Sequence, residues 1–239
     1  MGRFPSIAAS KAKTGAAKGK LYSMYARDIY DKAKKGGASP ENNFALKQVI
    51  EKAKKEQVPA DIIKRALDKV TSGGGEDYEE ARYEIIGPSG STAIALCLTD
   101  NVNRSVGDVR AAVSKSKCKL GSMNSVSYNY DNLAVVTFKC SNPDDILMSL
   151  LDEGIDVNDE EVNDDTLTIS VNPQEQYKLH QALEKLVPNI EYLIDEIGMY
   201  PKDKVVLTGE DLESFQRLLT LLDDVEDVKE VYHNVELGN

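Results

Sequence analysis

The sequence contains no tryptophan and only three cysteines in 239 residues. Cys97, Cys118 and Cys140 form no C-x-x-C pair, and the chain begins without an apolar secretory segment, so we expect a reducing, cytoplasmic compartment. No run of about 18 apolar residues is present, and the sequence therefore predicts no membrane-spanning helix and no membrane partner.

Acidic residues are missing from the first 27 positions, although the whole chain has a net charge of −11. Residues 1–75 hold 16 Lys and Arg against 7 Asp and Glu, a net of +9, whereas residues 76–239 hold 13 against 33, a net of −20. A basic segment on an acidic protein is typical of nucleic-acid binding, because unpaired cations release counterions from phosphates. The alternatives are an acidic protein partner and a solvated charged surface.

Nine cations are the predicted contacts to DNA or to ribosomal or messenger RNA. Seven precede residue 36, and two lie in or after the loop formed by residues 99–105. This loop precedes a helix, whose N-terminal N–H groups favour anions, but it equally fits an ordinary asparagine helix cap. The nine residues are Lys11, Lys13, Lys18, Lys20, Arg27, Lys34, Lys35, Arg104 and Arg110.

The sequence offers no catalytic motif, so we predict a protein that is not an enzyme and uses no cofactor. The acidic stretch 156–165 lacks the glycine and glutamate positions of an EF-hand, and His180 and His233 have no second ligand at motif spacing. We therefore predict no metal site. A basic protein partner for the acidic domains is the alternative of another class, and a monomer is expected.

Helical periodicity is strongest near the start of the chain. We predict a mobile arm over residues 1–19 and a helix over 20–35, with Leu21, Tyr25, Ile29 and Ala33 facing inward. A second helix is predicted to begin at Ser39-Pro40, with Leu46, Ile50 and Ala53 facing inward, and a third after Val58-Pro59. Three short amphipathic helices pack best as a bundle, which ends at the glycine-rich linker 72–75.

Strands and helices alternate after the linker. Predicted strands are 82–86, 92–98, 125–130, 133–138, 155–158, 166–171, 190–199, 204–207 and 228–235, and predicted helices are 103–117, 143–152, 173–186 and 209–223. The βαβ pattern occurs twice, as in ferredoxin-like folds. The fold class is therefore α+β and multidomain, with a helical domain (1–75), a discontinuous α/β domain (76–130 plus 201–239) and an inserted ferredoxin-like domain (131–200).

The stretch Leu98-Thr99-Asp100-Asn101-Val102-Asn103-Arg104-Ser105 resembles the L-T-D-N-x-N-R-[ST] signature of the YebC family. Gly73-Gly74-Gly75, Gly87-Pro88 and the terminal Val231-Tyr232-His233-Asn234-Val235 are similar to further family motifs. The resemblance implies a helical domain followed by two α/β domains, one inserted in the other. It also implies a regulator of gene expression, either a DNA-binding transcriptional regulator or a translational activator like the mitochondrial activator of cytochrome oxidase.

The chain departs from the family pattern at its start. The family has G-H/R-x-K-W, whereas this chain has Gly2-Arg3-Phe4-Pro5-Ser6. The tryptophan is therefore missing, and we expect Phe4 to supply the aromatic ring in its place.

Overall fold

The computed structural model describes residues 4, 15–73, 75 and 77–237. Its helices are α1 (Gly15–Gly36), α2 (Phe44–Lys55), α3 (Ala60–Thr71), α4 (Val102–Lys115), α5 (Pro143–Asp152), α6 (Gln176–Leu186) and α7 (Gly209–Asp223). Its strands are β1 (Glu79–Ile86), β2 (Thr92–Thr99), β3 (Lys119–Leu120), β4 (Tyr130–Lys139), β5 (Val157–Asn163), β6 (Thr166–Val171), β7 (Tyr192–Pro201) and β8 (Val228–His233). This is the α+β class that the sequence predicts.

Helices α1, α2 and α3 form a three-helix bundle around a closed apolar core. The predicted inward residues of α1, from Leu21 to Ala33, are all buried, and so are Leu46, Ile50 and Ala53 of α2. Their spacing of three and four residues places them on one side of each helix, where burial stabilises helices too short to persist alone.

Helix α2 begins later than the sequence predicts, because Asn43 and not Ser39 provides its cap. The Asn43 side chain accepts a hydrogen bond from the backbone N–H of Leu46 at 3.1 Å. It also donates to the carbonyls of Lys32 and Gly37, both at 2.9 Å. One amide side chain therefore fixes the end of α1 and the start of α2.

The first sheet combines strands from both ends of the α/β sequence. Its antiparallel strands follow the order β3-β1-β2-β8. Helices α4 and α7 pack on one face, where Val109, Phe215 and Leu218 are fully buried against Ile85 and Ala95. The chain after residue 204 thus completes the sheet begun by β1 and β2.

The second sheet has the ferredoxin-like arrangement. Its antiparallel strands follow the order β5-β6-β4-β7, and α5 and α6 contribute Leu150 and Leu179 to the core beneath it. The opposite face carries a smaller cluster in which Phe4 packs with Leu133, Val135 and Tyr200. The rings of Phe4 and Tyr200 meet edge to face at 5.4 Å. Phe4 is therefore a buried aromatic anchor.

The described residues group into two compact units. One comprises Ser127–Lys204 together with Phe4, and the other comprises the bundle, the rest of the chain to Val126, and the chain from Val205 onward. The bundle and the first sheet belong to the same unit. The three domain boundaries given above stay a prediction.

Besides the start of α2, further predicted elements differ from the structure, among them the strand 155–158, which is observed as β5 over Val157–Asn163. Helix α1 already includes residues 15–19, which the sequence predicts to lie in the mobile arm. Phe4 of that arm is buried, and its other residues lie outside the described part of the chain. The predicted strand 125–130 is not formed, except that Tyr130 begins β4. The buried Glu84 carboxylate accepts the N–H groups of Asn124 and Val126 and holds a loop there. The predicted strand 204–207 is reduced to one bridge between Val205 and Val235.

Replacing Asn43 by alanine should lower the free energy of unfolding by about 1–3 kcal/mol, because the cap and two further hydrogen bonds are lost together. Urea denaturation followed by circular dichroism measures this. The exposed neighbour Asn42 provides the matched control, and its alanine variant should stay within about 0.5 kcal/mol of the parent protein. Equal effects of the two substitutions would contradict the role of Asn43.

Candidate nucleic-acid interface

Cations on α1 contact acidic groups that lie about 200 positions later in the chain. Lys20 donates to the carbonyl oxygen of Asp223, and its ammonium lies 3.8 Å from the carboxylate of the same residue. Arg27 donates to the carboxylates of Glu226 and Asp227, the latter at 2.9 Å. These ion pairs join the bundle to the turn between α7 and β8.

Other ion pairs also involve charged residues of α1. Lys34 donates to Asp77 at 2.6 Å, a hydrogen bond that raises the pKa of the lysine. Lys35 pairs with Asp31 one helical turn earlier, at 2.8 Å. In one pair the sheet supplies the cation: the Lys229 ammonium of β8 lies 2.8 Å from the buried carboxylate of Asp28 on α1. Much of the positive charge on α1 is therefore already neutralised within the protein.

Asp227 is the centre of the most connected polar group. Its side chain is only 1% exposed, and it accepts hydrogen bonds from Arg27 at 2.9 Å and from the Thr99 hydroxyl at 2.9 Å. Arg104 donates to both of its oxygens, at 2.8 and 2.9 Å. We call Asp227, Arg27, Arg104 and Thr99 the Asp227 centre. It ties together α1, the end of β2, the start of α4 and the turn before β8.

The loop 99–105 holds Arg104 in position for this contact. The Asn101 side chain accepts a hydrogen bond from the backbone N–H of Arg104 at 3.1 Å, so Asn101 is the N-cap of α4. This agrees with the interpretation of the loop as an asparagine helix cap. Asp100 accepts a further hydrogen bond from Arg104 at 2.7 Å. This bond lowers the pKa of Asp100, while Asp227 and then Asp100 raise the pKa of Arg104. Within the signature motif, Asp100 and Asn101 thus hold Arg104 in position.

The other predicted contact residues have separate locations. Lys18 is exposed on the first part of α1, and Arg110 is exposed two turns along α4 from Arg104. Lys11 and Lys13 lie outside the described residues. The structure therefore does not gather the seven predicted cations that it describes into one patch, and the role of all nine in nucleic-acid binding stays a prediction.

The nine predicted contact residues do not include the exposed cations of α2 and α3. The charge excess over residues 1–75 already contained them, but only the fold shows which side chains reach solvent. The exposed residues are Lys47, Lys54 and Lys55 on α2, and Lys64, Arg65 and Lys69 on α3.

Reactive chemistry has little support elsewhere in the described residues. Burial raises the pKa of the Cys97 thiol to about 11 and also raises that of Cys118, so the lysines beside Cys118 do not activate it. His180 is buried and lies 3.1 Å from Asp195. No group of three or more His, Cys, Asp or Glu side chains in this part of the chain is placed to hold a metal ion. None of the described helices is long and apolar enough to cross a bilayer.

Comparison with known proteins places these features in a family. Residues 2–73 match the model of the TACO1/YebC protein N-terminal domain, and residues 78–235 match that of the TACO1/YebC second and third domain. The chain belongs to the TACO1/YebC family. The family resemblance drawn from the loop 99–105 is thus confirmed.

Relatives of this TACO1/YebC chain are similar to it over nearly their full length. A probable transcriptional regulatory protein from Vibrio parahaemolyticus is 47% identical over 238 residues, covering 99% of this chain and 100% of that protein. One from Alcanivorax borkumensis is 45% identical over 229 residues, covering 96% of each. The crystal structure of a conserved hypothetical protein from Aquifex aeolicus has a TM-score of 0.78 at 30% identity, covering 100% of this chain and 98% of that one. This chain therefore belongs to a family of regulators.

The Asp227 centre yields a stability prediction. Asp227→Asn removes the charged acceptor shared by two arginines and should cost about 2–4 kcal/mol, slightly less than breaking a fully buried pair, because Arg104 stays partly hydrated. Equilibrium unfolding in urea measures the loss.

Glu226→Gln is the matched control, since Glu226 pairs with the same Arg27 but is 68% exposed. Its cost should stay below about 1 kcal/mol, as for other exposed ion pairs. If Asp227→Asn were as mild as this control, Asp227 would not be the centre of the contact.

Proposed function

We propose that this protein is a non-enzymatic regulator of gene expression that binds nucleic acid through its three-helix bundle. The observation that carries the proposal is that α2 and α3 expose six cations to solvent, whereas many cations of α1 are paired with carboxylates that lie far away in the sequence. Of the six, Arg65 pairs with Asp61 at the surface of its own helix. Exposed lysines and arginines gain free energy at a phosphate backbone by releasing its counterions. The acidic remainder of the chain limits non-specific contact outside the bundle.

DNA is the favoured target, because the relatives are named probable transcriptional regulatory proteins. The motif resemblance also allows RNA, including ribosomal RNA, as the target of a translational activator. Both polymers present the same phosphate charge, so exposed cations alone do not separate them. A direct comparison of the two polymers therefore belongs in the same experiment.

Binding should weaken steeply with salt. We expect fluorescence anisotropy, with a labelled 20-base-pair DNA duplex and with single strands of DNA and RNA, to give a linear fall of log affinity with log salt. The slope should be about −0.7 to −0.9 per phosphate contact. Replacing Lys54 and Lys64 together by glutamine should weaken binding and make the slope shallower by about 1 for each lost contact.

The control removes two exposed lysines from the unit that contains the second sheet, each of which lies within 4 Å of a carboxylate. Lys139 and Lys185 are 74% and 70% exposed, and their double glutamine variant should bind like the parent protein. Failure to bind any of the three polymers at 50 mM salt would overturn the proposal. In that case a basic protein bound by the acidic sheets would become the better hypothesis.

A further inference from the structure

A groove runs along the bundle between α1 and α3 and has a volume of about 580 Å³. Tyr78, just before β1, lines it as well, and all of its lining residues belong to the same compact unit. The volume is within the range of sites that hold small molecules or single nucleotides. The groove is therefore large enough for one base together with its sugar.

Small residues on α1 keep this groove open. Gly19, Ser23 and Ala26 follow one another at spacings of four and three, which places them on the same side of the helix. A Cβ atom added at Gly19 would meet no atom within 4 Å. The groove side of α1 thus differs from its core side, where Leu21, Tyr25 and Ile29 are packed tightly.

Two tyrosines, Tyr22 and Tyr78, supply aromatic surface, and a third, Tyr30, supports Tyr78 from below the surface. Tyr30 is 2% exposed and meets Tyr78 edge to face at 5.9 Å, so the two rings hold each other in place. Tyr22 and Tyr78 are half-buried and reach the groove from two sides. Ordered rings in a groove favour stacking with a planar ligand, because little side-chain entropy is lost on binding.

Cations lie beside these rings. The Arg27 guanidinium is 6.0 Å from the centre of the Tyr78 ring, and the Lys69 ammonium is 5.5 Å from that of Tyr30. Arg65 lines the groove with a side chain that is 73% exposed. These described lining residues include no carboxylate. Arg65 pairs with the exposed carboxylate of Asp61, and Arg27 pairs with Glu226 and Asp227, all of which lie outside the lining. An anion that carries an aromatic ring matches this lining better than an apolar ligand, because it meets both the cations and the rings.

We propose that this groove binds an unstacked base of single-stranded nucleic acid, with the base against the tyrosines and its phosphates beside Arg65 and Lys69. A base inside a duplex stays stacked on its neighbours and offers no free face to the groove. An acidic peptide matches the cations but makes poorer use of the rings. The inference rests on the proposed nucleic-acid binding and names the part of the polymer that the bundle contacts.

The test compares intact and abasic 12-mers, which have the same phosphates but differ in their bases. Full-length protein should bind oligothymidine or oligouridine about tenfold more tightly than the matching abasic strand, as expected when a base stacks on an aromatic ring. The affinities of the oligothymidine and oligouridine strands show whether DNA or RNA is preferred. A 2-aminopurine placed in the strand should change its fluorescence on binding, because it reports stacking directly.

Gly19→Leu should abolish the preference for intact strands without changing any charge, because the added side chain fills the groove. Leucine also favours a helix more than glycine does, so this variant should fold. Gly107→Leu is the matched control: Gly107 lies within α4, a Cβ there also meets nothing within 4 Å, and it is not part of the groove. Tyr22→Leu, which removes a ring but keeps apolar bulk, should reduce the preference as well.

Equal binding of intact and abasic strands would overturn the groove inference and leave phosphate binding in place. A Gly19→Leu variant that keeps the parent preference would overturn it too. If neither strand nor a duplex binds, the proposed function fails together with the inference.

Discussion

The buried carboxylate of Asp227 is the most connected of the charged groups that join the bundle to the unit of the first sheet. Removing a carboxylate from water is unfavourable unless its oxygens are fully bonded, and here two arginines and a hydroxyl supply those bonds. Arginine suits this position because its guanidinium can donate to both oxygens and stays charged when partly buried. The positions of α1 and α4 both depend on this charge.

The arrangement divides the positive charge of the bundle into two groups. Arg27 and Lys20 form ion pairs with distant acidic residues of the protein, while Lys54, Lys64 and Arg65 are exposed on α2 and α3. The net charge of the N-terminal region overstates what a ligand encounters. An account of binding based on charge must therefore begin with the cations that remain exposed after folding.

Local patterns in the sequence predicted most elements of the fold, because apolar spacing depends on neighbours within a few residues. The Leu21-to-Ala33 stripe and the ferredoxin-like alternation were both recovered in this way. The cap at Asn43 was missed because Ser39-Pro40 is an equally good local signal, and the loop at 125–130 depends on Glu84, some 40 residues away. The ion pair of Arg27 and Asp227 joins residues 200 positions apart, so no local sequence pattern predicts it. The groove likewise exists only once α1 and α3 face each other.

The long separation between Arg27 and Asp227 also determines the order of events during synthesis. The chain is made from its N-terminus, so Arg27 and Arg104 leave the ribosome well before their shared partner exists. The bundle, whose contacts are local, can form early, whereas the ion pairs of Arg27 and Arg104 with Asp227 must wait until Asp227 has been made. A nascent chain therefore presents more positive charge than the finished protein, and loss of the C-terminal segment would make that state permanent.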